Sequence, residues 1–210
     1  MPGNSDYIAD IIPVDFVSRH ILIAIPYIIH LKQSLLITSC TSSSLNPTTW
    51  NNFALNLTKY QNQFPYEKRA RAASLTMHKS LNSFKLAHKL KSQIPSNAMF
   101  YFSKVFGSKK SKQNAIQFRD ALEKSKEIVE RFTFFTTNEW VFDSASIHKL
   151  NSFLASTKDE KLISEFEIEI TKLQWSQYAM NLGYGIKHYV LKEEASLPSI
   201  GYNDVVQRMI

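Results

Sequence analysis

The chain has 210 residues, 44% of them hydrophobic and 20% charged, which suits one ordinary domain, or a small one plus part of another, and excludes disorder, collagen and coiled coil as global descriptions. Its single cysteine, Cys40, excludes an internal disulfide scaffold, and five glycines leave little material for a glycine-rich phosphate loop. The net charge of +7 is local: residues 1–65 sum to zero, 66–112 to +10 and 113–210 to −3, so the basic balance describes one segment.

In chain order, residues 1–10 read as irregular, without the leading positive charge of a signal peptide. An apolar helix is expected over roughly 15–31. Its run from Ile21 to Leu31, broken by Pro26 and His30, is too short to span a membrane, so it reads as a buried helix of a soluble fold. Residues 34–40 read as a short buried strand. One strand cannot satisfy its own backbone groups; either its sheet lies upstream of Met1 or the segment is not a strand. Asn46-Pro47 reads as an N-cap and first helical residue, opening a helix from about Thr48 to Gln63. Residues 66–92 are basic and amphipathic, and 97–106 form an aromatic helix closed by Gly107. Gly107 to Asn114 reads as a linker and domain boundary.

Farther on, Phe118, Leu122, Ser125, Val129 and Phe132 make one helical stripe, and residues 136–143 break it. Ile147, Leu150 and Leu154 make a second stripe. Thr157-Lys-Asp-Glu160 and Thr171-Lys-Leu-Gln174 read as capping boxes, with a half-buried strand over 165–170 between them. Trp175, Tyr178, Leu182, Ile186 and Tyr189 share the face of a last helix. The expected core of 115–195 includes Phe132, Trp140, Leu150, Trp175, Tyr178 and Tyr189.

The chemistry motifs are mostly absent. Gly183-Tyr-Gly185 lacks a third glycine and a preceding strand, so it reads as a packing feature of a helix rather than a dinucleotide loop. No tyrosine has a lysine four residues on, the spacing that lowers a tyrosine pKa in short-chain dehydrogenases. No His or Cys spacing fits zinc, and Cys40 reads as a small hydrophobe. Catalytic, cofactor-binding and metal residues are therefore expected to be none. The basic segment suits phosphates in general, but nucleic acid is not expected as a partner, because no nucleic-acid motif accompanies it.

One stretch is distinctive: Arg131-Phe-Thr-Phe-Phe-Thr-Thr-Asn-Glu-Trp-Val-Phe-Asp143. It resembles the opening of the C-terminal, male-sterility-type domain of the alcohol-forming fatty acyl-CoA reductases. The resemblance continues through Trp175-Ser-Gln-Tyr178 and Gly185-Ile-Lys-His-Tyr189-Val-Leu-Lys-Glu193. Asp10-Ile-Ile-Pro-Val-Asp15 and Asn46-Pro47-Thr-Thr-Trp50 resemble landmarks near the end of that family's extended short-chain dehydrogenase domain. The family usually has an acid where this chain has Gln174, and residues 60–112 match nothing recognisable.

The resemblance implies a mostly α fold with a small α/β remnant, the incomplete end of a Rossmann-type domain followed by a helical C-terminal domain. It divides the chain into a reductase remnant over 1–65, a basic connector over 66–114, the helical domain over 115–195 and a tail over 196–210. The chain is expected to be a fragment, a partial gene model or a degenerate relative. The implied activity is NADPH-dependent reduction of long-chain fatty acyl-CoA to a primary alcohol, with no cofactor bound by this chain alone. Pro13, Asp15, Asn46 and Pro47 are implied on the substrate side; Asn138, Glu139, Trp140, Trp175, Tyr178, Gly185 and Tyr189 carry the C-terminal motif. The implied location is intracellular, on the cytosolic face of the endoplasmic reticulum or peroxisome. Separately, the +10 charge of residues 66–112 and the apolar stripe Met77, Leu81, Phe84 and His88 beside it point to an anionic membrane surface as a partner of that segment. The competing class is a non-catalytic helical module, derived from the family, that binds a membrane or a protein.

Overall fold

The computed structural model describes residues 1–67 and 72–195. The tail expected at 196–210, including Gln207 to Ile210, and the Lys68, Arg69 and Arg71 charges of the basic segment lie outside the described residues. The fold is mostly α, as the sequence implies: α1 Val14–Leu31, α2 Trp50–Gln63, α3 Leu81–His88, α4 Ile94–Phe106, α5 Lys109–Thr137, α6 Ala145–Ser156, α7 Glu160–Phe166 and α8 Trp175–Gly185. The only β pairing among the described residues is two isolated bridges, Pro2 with His78 and Ile8 with Thr49.

Helix α1 begins after Pro13, whose extended backbone sets the entry, and stops where Lys32 turns left-handed and its N–H reaches back to the Ile28 and Ile29 carbonyls. One edge of it is buried. Ile23 joins Ile147, Leu150 and Leu154 of α6, with Ile168 and Ile170, in the main core. The stripe read at 147, 150 and 154 is thus the one that faces inward. The rest of α1 differs from the expected buried helix: Ile21, Leu22, Ile25 and Ile29 are exposed. With its full 18 residues it is also long and apolar enough, by length and composition alone, to cross a membrane.

The expected strand at 34–40 has no regular secondary structure and pairs with no other strand, and Leu35 and Ile37 are exposed. Its apolar residues were a sound sign of burial only if a sheet is there to receive them. The expected strand at 165–170 is instead the end of α7, an extended link and a 3-10 turn over Ile170–Lys172; its alternation survives in the burial of Ile168 and Ile170.

Helix α2 packs on α8 at a close crossing. A Cβ on Gly183 would lie 2.5 Å from the Tyr60 ring, and Tyr60 is completely buried. The packing reading of Gly183 therefore holds. Gly185 has open space apart from Tyr189.

The basic segment is not one helix. Residues 72–80 are irregular, and a continuous helical run then covers α3, a π-helical turn over Lys89–Gln93, and α4. Pro95 explains the π turn: it has no N–H to donate, and its ring crowds the preceding turn. Helix α4 ends at Gly107 as expected, but Gly107 to Asn114 is no linker, because α5 starts at Lys109 with Ser108 as its cap. The break after Thr137 falls inside the expected 136–143.

Both capping boxes are displaced. Asp159, not Thr157, caps α7, accepting from the Lys161 and Leu162 N–H groups. Gln174 precedes α8 without a side-chain cap. Two expected core residues are exposed, Phe132 and Tyr189. Phe132 lies on the wet side of a long helix, and Tyr189 follows α8 into a π turn over Ile186–Val190, which rotates it off the packed face.

Candidate functional site

The residues singled out from the two ends of the sequence meet around one loop, 39–46. Asp10 sits below it. Its Oδ1 accepts from the Ser42 N–H at 2.7 Å, the Ser43 N–H at 2.9 Å and the Ser42 hydroxyl at 3.1 Å. Ser42 and Ser43 are buried, so this carboxylate replaces water for three donors that cannot reach it.

Asn46 does not cap α2. Thr49 does, accepting from the Asn52 N–H, and Pro47 lies outside the helix. The Asn46 amide instead donates to the Ile170 carbonyl at 2.9 Å and the Leu173 carbonyl at 2.7 Å. The Trp175 indole N–H donates back to Asn46, 2.9 Å from its carbonyl and 3.2 Å from its Oδ1. Asn46 is a clasp between the two ends of the chain, and its helix-start pattern concealed that role.

Tyr178 lies one turn along α8 from Trp175, with ring centroids 6.0 Å apart, and 6.2 Å from Phe53 of α2. Burial raises its phenol pKa, and the Asp15 carboxylate raises it further. The Cys40 thiol goes up to about 11, through burial first and then the Asp10 and Asp15 charges. Asp15, in the first turn of α1 after the buried Pro13, is near enough for its charge to act on both groups. A tyrosine that transfers protons near neutral pH needs the opposite shift. This seam keeps its phenol and thiol neutral and fit for packing and hydrogen bonding. Accordingly, iodoacetamide at about pH 8 should alkylate Cys40 roughly a hundredfold more slowly in the native chain than in urea, since only the thiolate reacts.

The break after α5 closes the other side. The Asn138 amide donates to the Phe134 carbonyl at 2.8 Å, finishing α5. Glu139 accepts from the Ile8 N–H at 2.9 Å. The Phe142 N–H donates to the Ser43 hydroxyl at 3.0 Å, and the Ser39 hydroxyl to the Asp143 carbonyl at 3.1 Å. Trp140 is half-buried beside Phe134 and Phe142, and its indole N–H is buried without a partner. Gly185 and Tyr189 stand apart at the end of α8. Sequence reading passed over Asp10 and the Ser42–Ser43 pair as site residues, because nothing local marks a carboxylate whose donors lie 32 and 33 positions on.

The family model described as Male sterility protein matches residues 91–193. Fatty acyl-CoA reductase 1 of Xenopus laevis is 27% identical over 199 residues, 93% of this chain and 36% of that protein. The Homo sapiens fatty acyl-CoA reductase 1 is 26% identical over 197 residues, and fatty acyl-CoA reductase 2 of Mus musculus 26% over 194, covering 92% and 91% of this chain. The chain resembles the fatty acyl-CoA reductases over almost its whole length, and its residues 91–193 match the male-sterility family model. It spans 36% of the length of these relatives, and no solved structure matches it significantly. Within the family frame, the seam joins the male-sterility segment, through Glu139, Phe142 and Trp175, to the residues that precede it.

Proposed function

We propose that this chain supplies the substrate side and the C-terminal helical part of a reductase that takes a long-chain fatty acyl-CoA through the aldehyde to a primary alcohol. The observation that carries the reading is the seam. Asn46, from the segment resembling the end of a reductase domain, is bonded to Trp175 of the male-sterility segment, and Phe53 packs against its Tyr178. In this reading 1–65 is the end of the cofactor-binding domain, and the helical domain joined to it begins with α5 at Lys109 rather than at 115. The uncovered face of α1 and the unpaired segment 34–40 suit burial against a nucleotide-binding sheet. An enzyme of this kind would work at the cytosolic face of the endoplasmic reticulum or peroxisome, where its acyl substrate is found.

NADPH is the reductant this chemistry implies, and the residues described do not fit it. Gly183 faces the Tyr60 ring, and the positive-φ glycine, Gly3, packs against Thr136; neither frees backbone amides for a pyrophosphate. The purified chain mixed with NADPH and a long-chain acyl-CoA should consume cofactor only at background rate. The positive arm is a chimera in which these residues replace the matching part of the Mus musculus reductase. It should form fatty alcohol, and Asn46→Ala should reduce that yield. Turnover by the chain alone, or a soluble chimera with no alcohol product, would overturn the reading.

A further inference from the structure

Helix α4 is built inside out. The side against α5 carries the buried Ser96 and Ser103 and the half-buried Phe100, whose ring lies 4.3 Å from the Arg119 guanidinium, and it faces the buried Ala115. The opposite side carries Ile94, Tyr101, Phe102, Val105 and Phe106, each between 51% and 76% exposed. A helix packed in water puts its large apolar residues inward. Small residues at the helix–helix contact with large apolar ones outward is the packing found where the surroundings are lipid.

The charges around this face are all of one sign. From 72 to 119 there is no Asp or Glu, but eight lysines and Arg119. Lys85, Lys89 and Lys91 stand before α4; Lys104, Lys109, Lys110 and Lys112 stand at its end, and all seven are exposed. Among the described residues the ion pairs are those of Lys126, Arg131 and Lys172, so these seven lysines are uncompensated. An apolar band between two unpaired cationic clusters matches a surface that is apolar beneath and anionic on top. Within the continuous helical run the stretch free of lysine, between Lys91 and Lys104, has 12 residues and is about 18 Å long, short of the roughly 30 Å hydrocarbon core, so the fitting pose is along the surface rather than across it.

We propose that α3, α4 and the start of α5 dock on an anionic bilayer surface, with Tyr101, Phe102, Val105 and Phe106 at the boundary between headgroups and acyl chains and the flanking lysines on the lipid phosphates. The proposal goes beyond the reductase reading, whose own test is the alcohol product of the chimera.

Vesicle sedimentation of the 210-residue chain tests it. Binding should rise at least about tenfold when phosphatidylcholine vesicles receive about 30 mol% phosphatidylserine, and fall again in about 0.5 M salt. Phe102→Asp with Phe106→Asp should abolish binding and leave the melting temperature unchanged, since both side chains are already in water. Lys109→Glu, Lys110→Glu and Lys112→Glu together should remove the preference for phosphatidylserine. Absence of binding at low salt overturns the proposal. So does full binding by the aspartate variant, which would leave charge alone at work. A dimer that the aspartate variant dissociates, with no vesicle binding, would assign the face to a second copy of the chain. Tighter binding to RNA than to the vesicles would assign the lysines to nucleic acid.

Discussion

Trp175→Ala should lower stability by about 3–5 kcal/mol, a large share of the 5–15 kcal/mol or so that holds a typical domain together. Trp175 is only 7% exposed, so the substitution leaves a cavity the size of an indole between α8 and loop 39–46. It also removes the donor shared by the Asn46 carbonyl and side chain. Trp175→Phe separates the two effects. It keeps most of the apolar volume and loses the hydrogen bond, so its cost should be nearer about 1 kcal/mol. Thermal melting followed by circular dichroism checks both, and an unchanged melting temperature for Trp175→Ala would show that the seam is open in solution.

Leu150→Ala is expected to cost about 2–5 kcal/mol. Leu150 has no exposed surface and lies in the cluster that Ile23, Ile147, Leu154, Ile168 and Ile170 form. Three separate stretches of backbone meet there, and they cannot all move into the space a leucine leaves. Leu150→Met conserves the volume and should cost less than about 1.5 kcal/mol. Urea titration of the pair checks the prediction; equal midpoints would mean that α6 does not pack on α1.

The helices were legible because their signals are local. The stripe at 147, 150 and 154, the closing Gly107 and the break after Thr137 all lie within a few residues of what they describe. The failures share a different cause. Asn46 has the look of a helix cap, but its partners are Ile170, Leu173 and Trp175, and a competing local pattern hid them. Leu35 and Ile37 read as buried because strand composition reports a residue's suitability for a sheet, not the presence of one. Phe132 and Tyr189 read as core because a helical stripe gives a face without saying whether anything covers it. For the site, the family resemblance brought out Asp15, Asn46, Trp175 and Tyr178, whereas Asp10, whose three bonds hold the loop they surround, lay in the quoted stretch without attracting a role.

The seam also governs the order in which the chain comes together. Its bonds join residues far apart: Asn46 and Trp175 are separated by 129 positions, and Ile8 and Glu139 by 131. Helices α4 and α5, by contrast, are joined through Gly107 and Ser108 alone. Closing a long loop costs more entropy than closing a short one, and distant pairings slow folding. The α4–α5 hairpin therefore forms early and the seam closes last. Until it does, the apolar residues of α1 and α6 have no cover, and this is the stage at which the chain is prone to aggregate. A substitution such as Trp175→Ala acts there as well as on the finished fold, by prolonging the interval in which the two ends have not yet met.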